Sequence, residues 1–122
     1  MEIYLIRHSR VSVSPNVCYG ISDVELHENS EIDIENIFDQ LPIVANSKFY
    51  SSPLTRCKKL AESLTQSEII FDDRLKELNF GDWELKIWED IPENEFNLWK
   101  TDYVQNSPTN GESYQEIGRA HV

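Results

Sequence analysis

The chain of 122 residues has few of the features that mark several large protein classes. Its two cysteines, Cys18 and Cys57, lack C-x-x-C spacing, which excludes a disulfide framework and a cysteine-rich zinc site. No apolar run approaches the length that crosses a bilayer, and the first, residues 3–6, ends at Arg7 and His8 before a signal-peptide core could form. We therefore expect reduced thiols, a cytoplasmic location and no membrane partner.

Basic side chains are scarce as well. Eleven Lys and Arg stand against 22 Asp and Glu, and the formal net charge is −11. Such a surface repels phosphate backbones, so we expect no nucleic-acid partner, although a small phosphate ligand can bind where a few arginines converge. With 39% hydrophobic residues, the chain has enough apolar material for one packed domain and too little for two. The oligomeric state is left open.

Strand and helix patterns alternate along the chain. The continuous apolar run at residues 3–6 predicts a strand buried on both faces, and residues 48–51 and 68–71 predict two more. A long loop is expected at residues 11–28. An amphipathic helix is predicted where apolar residues recur at helical spacing before Pro42, namely at Ile34, Ile37, Phe38 and Leu41. This order predicts an α/β fold of three layers, α/β/α, with a largely parallel sheet.

A second helix is predicted after the strand at residues 48–51. Ser52 is its expected N-cap and Pro53 its first residue. Arg56 then lies in the first turns, where its charge adds to the partial positive charge and the N–H groups of the helix start, a good anion site. The predicted buried face of this helix consists of Leu54, Cys57, Ala61 and Leu64.

All three tryptophans lie within residues 83–103. Phe96, Trp99 and Tyr103 recur there at helical spacing, which predicts a helical hairpin that packs an aromatic face onto the domain. We prefer this structural interpretation to a ligand cage. Residues 106–110 are expected to form a loop, and residues 111–113 to lead into another helix.

Four ionisable residues provide the parts of a phosphoryl-transfer site. Arg7 and His8 end the first predicted strand, at the sheet edge where α/β proteins bind ligands. An imidazole can attack phosphorus to form phosphohistidine, while guanidinium groups such as that of Arg56 grip the phosphoryl oxygens. A carboxyl group such as that of Glu77 can donate a proton to the departing alkoxide. Singly, each residue has an ordinary structural interpretation, and their spacing is what favours chemistry.

Four motifs in this order resemble the histidine phosphatase (phosphoglycerate-mutase-like) superfamily. They are L-I-R-H-S at residues 5–9, S-S-P-L-T-R at 51–56, E-L-N-F-G-D-W-E at 77–84 and G-E-S at 111–113. The resemblance implies neither a metal nor an organic cofactor. It implies that His8 is the phosphorylated nucleophile, that Arg7 and Arg56 bind the phosphoryl group, and that Glu77 is the general acid. It also implies that Tyr19 and Gly20 line the substrate pocket.

Within the superfamily, residues 18–26 and the F-G-x-W-E motif resemble the alpha-ribazole phosphatases of adenosylcobalamin assembly. This resemblance implies a phosphomonoesterase that acts on alpha-ribazole 5′-phosphate. A broad-specificity phosphatase and a phosphoglycerate-mutase-like enzyme are alternatives within the same chemistry. A catalytically silent member that only binds phosphorylated ligands or a protein partner is another, but a pure binder has no need of His8 and Glu77.

Two positions depart from the superfamily pattern. Ser9 stands where Gly is usual, and its side chain can be tolerated there or can donate a hydrogen bond near the phosphate. Its effect on the rate is left open. Arg10 stands where an acidic residue or Thr is usual, and we expect it to face water rather than the phosphate.

The superfamily's second catalytic histidine, in an H-G-type motif on a later central strand, has no counterpart in this sequence. His121 follows Ser113 by only eight residues, with no apolar run before it and no glycine after it. Residues 117–122 match a peptide encoded by a common sequencing adapter. We therefore expect residues 1–116 to be the N-terminal part of a histidine phosphatase domain and residues 117–122 to be a non-native tail.

A missing central strand has an energetic consequence. It exposes apolar faces and leaves sheet N–H and C=O groups unpaired, which costs more than a typical stability margin of ~5–15 kcal/mol. We expect the 122-residue chain by itself to fold poorly and to have little activity.

Overall fold

The computed structural model describes residues 1–42 and 46–120. The chain divides into two compact units. Unit 1 comprises Met1–Val13 and Asp23–Asp73, and unit 2 comprises Ser14–Ser22 and Arg74–Val122. His121, which the sequence pattern did not support as the superfamily's second catalytic histidine, lies outside the described residues.

Unit 1 is built around a β-α-β arrangement. Its two strands pair in parallel, with Tyr50 opposite Ile70. Parallel strands need a crossover connection, and the second helix of the unit provides it. The strands predicted at residues 48–51 and 68–71 and the α/β class are confirmed. In chain order the elements are α1 (Ser30–Gln40), β1 (Phe49–Ser51), α2 (Thr55–Leu64) and β2 (Ile69–Phe71).

The buried strand predicted at residues 3–6 is wrong for this structure. These residues have no regular secondary structure, and the side chains of Ile3 and Leu5 are 71% and 94% exposed. A strand is stable only when neighbouring strands pair with its N–H and C=O groups. In the described part of the chain, β1 and β2 form a two-stranded sheet with each other. An apolar run by itself does not supply the partner.

Helix α1 confirms the first helix prediction. It ends at Gln40, and Leu41 is already extended, with φ −87° and ψ 122°. A residue before proline is sterically biased against helical geometry, so Pro42 explains this end. The predicted apolar face is only partly covered, since Ile34 and Ile37 are half-buried and Phe38 is 50% exposed.

Helix α2 begins two residues later than the sequence indicates. The Oγ of Ser52 accepts a hydrogen bond from the Leu54 amide within a turn, at 3.3 Å, and the helix starts at Thr55. The carboxylate of Asp23 binds this start instead, because it accepts the Thr55 amide and the Thr55 hydroxyl, both at 2.8 Å. The predicted N-cap is therefore wrong. A carboxylate 32 residues away satisfies the helix start.

The buried face of α2 follows the predicted spacing in part. Leu54 and Leu64 are buried as expected, while Cys57 and Ala61 are half-buried. Leu60, which the prediction omitted, is 4% exposed.

Unit 2 is held by an aromatic core. The buried residues Cys18, Trp83 and Ile91 form its centre, and partly buried aromatic rings surround them: Phe80, Trp88, Phe96 and Trp99. The rings of Trp83 and Trp99 meet edge to face, with centroids 5.7 Å apart. Such pairs contribute about 0.5–1.5 kcal/mol beyond simple burial. The structural interpretation of the aromatic residues is confirmed.

The helical hairpin predicted at residues 83–103 is wrong in its first half. Two short 3₁₀ turns, Gly81–Trp83 and Trp88–Asp90, precede a single helix, α3 (Glu93–Thr101). The backbone of Leu85 has a φ of 63°, which no right-handed helix contains, so it prevents a continuous helix. The predicted aromatic face is confirmed for Phe96 and Trp99, whose rings pack together on α3, whereas Tyr103 lies beyond the end of the helix and contacts Trp99 from a turn.

A last helix, α4 (Tyr114–Ala120), follows the G-E-S motif as predicted. Its start is a capping box, because the Glu116 carboxylate accepts the Ser113 amide at 2.7 Å and the Ser113 hydroxyl accepts the Glu116 amide at 3.2 Å. Among the described residues, no helix combines the length and the apolar character that a membrane span requires.

We expect Asp23→Ala to destabilise unit 1 by about 1 kcal/mol, because the Thr55 amide loses its capping carboxylate. Urea denaturation of the protein translated from the complete reading frame, followed by circular dichroism, measures the change. Glu62→Ala is the control, since Glu62 makes only an exposed i,i+4 ion pair with Lys58 at 3.9 Å, worth about 0.5 kcal/mol or less. Equal losses in both variants would contradict the capping role.

Candidate active site

The His8 ring is half-buried and held by its neighbour in the chain. Its Nδ1 lies 2.8 Å from the carbonyl oxygen of Ser9. A carbonyl oxygen only accepts hydrogen bonds, so Nδ1 must carry the proton in this contact. In the neutral ring the lone pair then lies on Nε2. This is the tautomer that a nucleophilic imidazole needs.

Arg56 and Arg7 have different environments in unit 1. Arg56 is the second residue of α2 and its side chain is 1% exposed, whereas Arg7, directly before His8, is exposed. The sequence placed an anion site at the start of α2. In the structure the Asp23 carboxylate accepts a hydrogen bond from the Thr55 amide there, so one of the N–H groups expected to bind an anion is already bonded within the chain.

The two unusual residues after His8 also have different environments. Ser9 is 4% exposed, and within the described residues its Oγ has no hydrogen-bond partner. Arg10 lies at the surface, where its Nε binds the Asp33 carboxylate at 2.8 Å. This contact raises the pKa of Arg10 and lowers that of Asp33. The expectation that Arg10 faces water is confirmed.

Unit 2 contains the other predicted site residues. The Glu77 side chain is exposed, and the next residue, Leu78, is 1% exposed and anchors this segment in the unit. Gly20 lies directly against it, because a Cβ at this position would be 1.9 Å from the Leu78 carbonyl oxygen. Only glycine allows that approach. The structure therefore brings the Tyr19 and Gly20 loop together with the segment that carries Glu77.

The G-E-S motif supports the Glu77 segment from the other side. The Glu112 carboxylate accepts the Asn79 amide at 3.1 Å, and the Asn79 carbonyl accepts the Glu112 amide at 2.8 Å. A Cβ on Gly111 would be 2.6 Å from the Asn79 carbonyl oxygen, which explains the glycine. Gly81 ends the segment with a φ of 58°. This motif is thus explained by backbone packing.

Glu84, the last residue of the E-L-N-F-G-D-W-E motif, is a structural residue to which the sequence pattern assigned no role. The Glu84 carboxylate accepts hydrogen bonds from four backbone amides, those of Gly20, Ile21, Ser22 and Phe80. The sequence feature that could have drawn attention to Glu84 is its position directly after Trp83 in the F-G-x-W-E motif. The sequence does not show, however, which backbone amides its carboxylate binds.

The described residues contain no group of three or more His, Cys, Asp or Glu side chains arranged to hold a metal ion.

The predicted site residues are divided between the two units. Unit 1 contains Arg7, His8 and Arg56, and unit 2 contains Tyr19, Gly20 and Glu77.

The model of the histidine phosphatase superfamily (branch 1) matches residues 3–120. The chain belongs to this superfamily. A protein named "Probable phosphoglycerate mutase GpmB" from Escherichia coli O1:K1 / APEC is 30% identical over 125 residues, which cover 96% of this chain. The chain spans 58% of the length of that relative.

Solved structures of two phosphatases share the fold. The alpha-ribazole phosphatase from Shigella flexneri superposes with a TM-score of 0.84 at 24% identity, covering 94% of this chain and 60% of that one. A mycobacterial glucosyl-3-phosphoglycerate phosphatase gives a TM-score of 0.80 at 24% identity, covering 93% of this chain and 56% of that one. At this identity the likeness establishes the α/β fold.

Both cysteines of this member of the superfamily are thiols rather than a disulfide pair. Cys18 is fully buried in the aromatic core of unit 2. Burial, and to a lesser degree the negative charge of Glu84, raises the pKa of its thiol to about 12. The thiol therefore stays protonated at neutral pH and packs as a small apolar group.

We expect the free energy of unfolding to fall between pH ~8.5 and ~12, by at most about 1.4 kcal/mol per pH unit. In this window the unfolded Cys18 thiol ionises while the folded thiol keeps its proton, so a rising pH favours unfolding. Urea denaturation of the protein translated from the complete reading frame, at about pH 8 and pH 10, measures the loss. Cys18→Ala should remove this part of the pH dependence and Cys57→Ala should retain it; identical profiles would contradict the assignment.

Proposed function

We propose that the protein containing this chain is a phosphomonoesterase that works through a phosphohistidine intermediate. The observation that carries the proposal is the contact of the His8 Nδ1 with the Ser9 carbonyl, because it fixes a proton on Nδ1, so that the neutral ring has its lone pair on Nε2. A buried guanidinium at Arg56 supports it, because a cation held away from water binds a phosphoryl group strongly.

In the first step, the Nε2 lone pair attacks phosphorus and the bond from phosphorus to the ester oxygen breaks. The leaving oxygen takes that electron pair and a proton from the Glu77 carboxylic acid. Arg7 and Arg56 balance the charge on the equatorial phosphoryl oxygens. Tyr19 and Gly20 line the pocket for the alcohol part of the substrate.

In the second step, water attacks the phosphohistidine and gives a proton to the Glu77 carboxylate. The N–P bond breaks, its electrons return to Nε2, and inorganic phosphate leaves. The direct displacement of the alcohol by water, which is difficult in one step, is thereby divided into two easier steps.

We expect His8→Ala to abolish both turnover and the acid-labile phosphate that can be trapped on the protein with a labelled phosphomonoester. The measurement uses the protein translated from the complete reading frame. His27→Ala is the control, because the His27 Nδ1 only accepts the Asn29 amide, at 3.0 Å. Ligand binding that persists in His8→Ala, with no trapped phosphate in the parent protein, would instead favour a silent phospholigand-binding member.

We expect Glu77→Gln to lower kcat/KM for an alkyl phosphate by about 10²- to 10⁴-fold, since an alkoxide needs a proton to leave. p-Nitrophenyl phosphate should lose much less, because p-nitrophenolate leaves without one. Glu89→Gln, which removes an exposed carboxylate in the 3₁₀ turn Trp88–Asp90, is the control. Equal losses for the two substrates would exclude Glu77 as the acid.

We propose alpha-ribazole 5′-phosphate as the substrate. Residues 18–26 and the F-G-x-W-E motif support it, as does the likeness to the Shigella flexneri alpha-ribazole phosphatase. A phosphoglycerate-mutase-like activity on phosphoglycerates is the second candidate, favoured by the E. coli relative. Comparing kcat/KM for alpha-ribazole 5′-phosphate, 3-phosphoglycerate and simple sugar phosphates decides between them. Similar values for all would favour a broad-specificity phosphatase.

A further inference from the structure

We propose that Glu84 is a positioning residue, whose carboxylate holds the loop at residues 19–22 and the segment at residues 77–80 in one arrangement. The inference rests on the proposed function, because these two stretches carry the pocket residues Tyr19 and Gly20 and the acid Glu77. All the contacts that support it lie within unit 2.

The two carboxylate oxygens of Glu84 divide the contacts between the two stretches. Oε1 accepts the amides of Ile21 and Phe80, each at 3.0 Å. Oε2 accepts the amides of Gly20 and Ser22 at 3.1 and 3.4 Å, and also the Ser22 hydroxyl. Oε1 therefore joins the loop to the segment directly, while Oε2 fixes the shape of the loop.

Three consecutive amides that converge on one anion form a concave anion-binding site of the kind that holds phosphate in other proteins. Here the amides of residues 20–22 are occupied by the chain's own carboxylate. Hydrogen bonds to a charged acceptor are roughly twice as strong as those between neutral groups. The arrangement therefore depends on the negative charge of Glu84 as well as on its shape.

The Glu84 carboxylate binds two stretches of backbone that are too closely packed to shift independently. The loop meets the segment at Gly20, where a Cβ would be 1.9 Å from the Leu78 carbonyl oxygen and 2.7 Å from the Phe80 ring. Leu78 follows Glu77 directly. A shift of the loop therefore moves the peptide that carries the acid.

The two residues that follow Glu84 are hydrogen-bonded to Cys18, which directly precedes the same loop. The Cys18 carbonyl accepts the Leu85 amide at 2.7 Å, and the Lys86 carbonyl accepts the Cys18 amide at 2.8 Å. These bonds hold residues 85–86 beside Cys18 without help from the carboxylate. Neutralising Glu84 should therefore loosen residues 20–22 and 80 while the surrounding backbone pairing remains.

A purely structural role predicts a different outcome from a positioning role. If Glu84 only stabilised unit 2, its loss would lower activity on every substrate to the same degree, through a smaller folded fraction. If it positions Glu77, the loss concentrates on substrates whose leaving group needs a proton. The sensitivity to the leaving group separates the two.

The experiment compares Glu84→Gln with the parent protein, both translated from the complete reading frame. We expect kcat/KM for an alkyl phosphate to fall at least about tenfold more than kcat/KM for p-nitrophenyl phosphate. Inhibition by inorganic phosphate should stay unchanged, because Arg7 and Arg56, which we assign to the phosphoryl group, belong to unit 1, whereas the contacts of Glu84 described above lie within unit 2. Slowed hydrogen exchange of the Gly20 and Ile21 amides in the parent, lost in the variant, gives a readout besides activity.

Asp82→Asn is the matched control. It removes the same charge two residues away, and Asp82 accepts hydrogen bonds from the Asn110 side chain at 3.0 and 3.1 Å rather than from the loop. We expect both substrates to keep their parent rates in this variant.

The remaining outcomes overturn the inference in distinguishable ways. An equal loss for both substrates in Glu84→Gln excludes positioning and leaves the proposed function standing. A parent protein with no turnover and no phosphohistidine overturns both. If Glu84→Gln does not melt cooperatively, Ser22→Ala removes the contact of the Ser22 hydroxyl with Oε2 and keeps the carboxylate, and a leaving-group effect absent there would equally exclude positioning.

Discussion

Carboxylates that accept hydrogen bonds from backbone amides hold together the irregular parts of both units. A buried N–H group without an acceptor costs free energy comparable to a lost hydrogen bond, so loops need acceptors as much as helices do. Asp23 supplies one at the start of α2, Glu84 supplies one for the loop at residues 20–22, and Glu112 supplies one beside Glu77. Part of the acidity of the chain is therefore structural, and these acceptors fix the loops that carry the residues of the proposed site.

The net charge of −11 also shapes how a phosphate ligand can bind. The average field of the chain repels an anion, so affinity must come from guanidinium groups close to the ligand, where solvent screens little. Arg56, which is buried in α2, suits this requirement. Under the proposed function, an acidic surface of this kind favours a small phosphate monoester that is held by nearby guanidinium groups.

The features that could be predicted from the sequence depend on near neighbours. Helix α1 ends before Pro42, and the sharp turn at Gly81 has a positive φ, because a proline ring and a missing Cβ act within a residue or two. The strand expected at residues 3–6 failed for the opposite reason. Its stability depends on a partner strand, and the apolar letters of Ile3 and Leu5 do not reveal whether one is present.

The sequence by itself determined the order of the chemical groups, from Arg7 and His8 through Arg56 to Glu77, and hence the superfamily. It also determined the local helix patterns, because side chains three and four residues apart share a helix face whatever surrounds them. Only the tertiary structure decided that Asp23 caps α2 and that Glu84 binds the Gly20 amide 64 residues away. A backbone N–H bonds to whichever acceptor lies near it in space, and that distance is set by the folded chain.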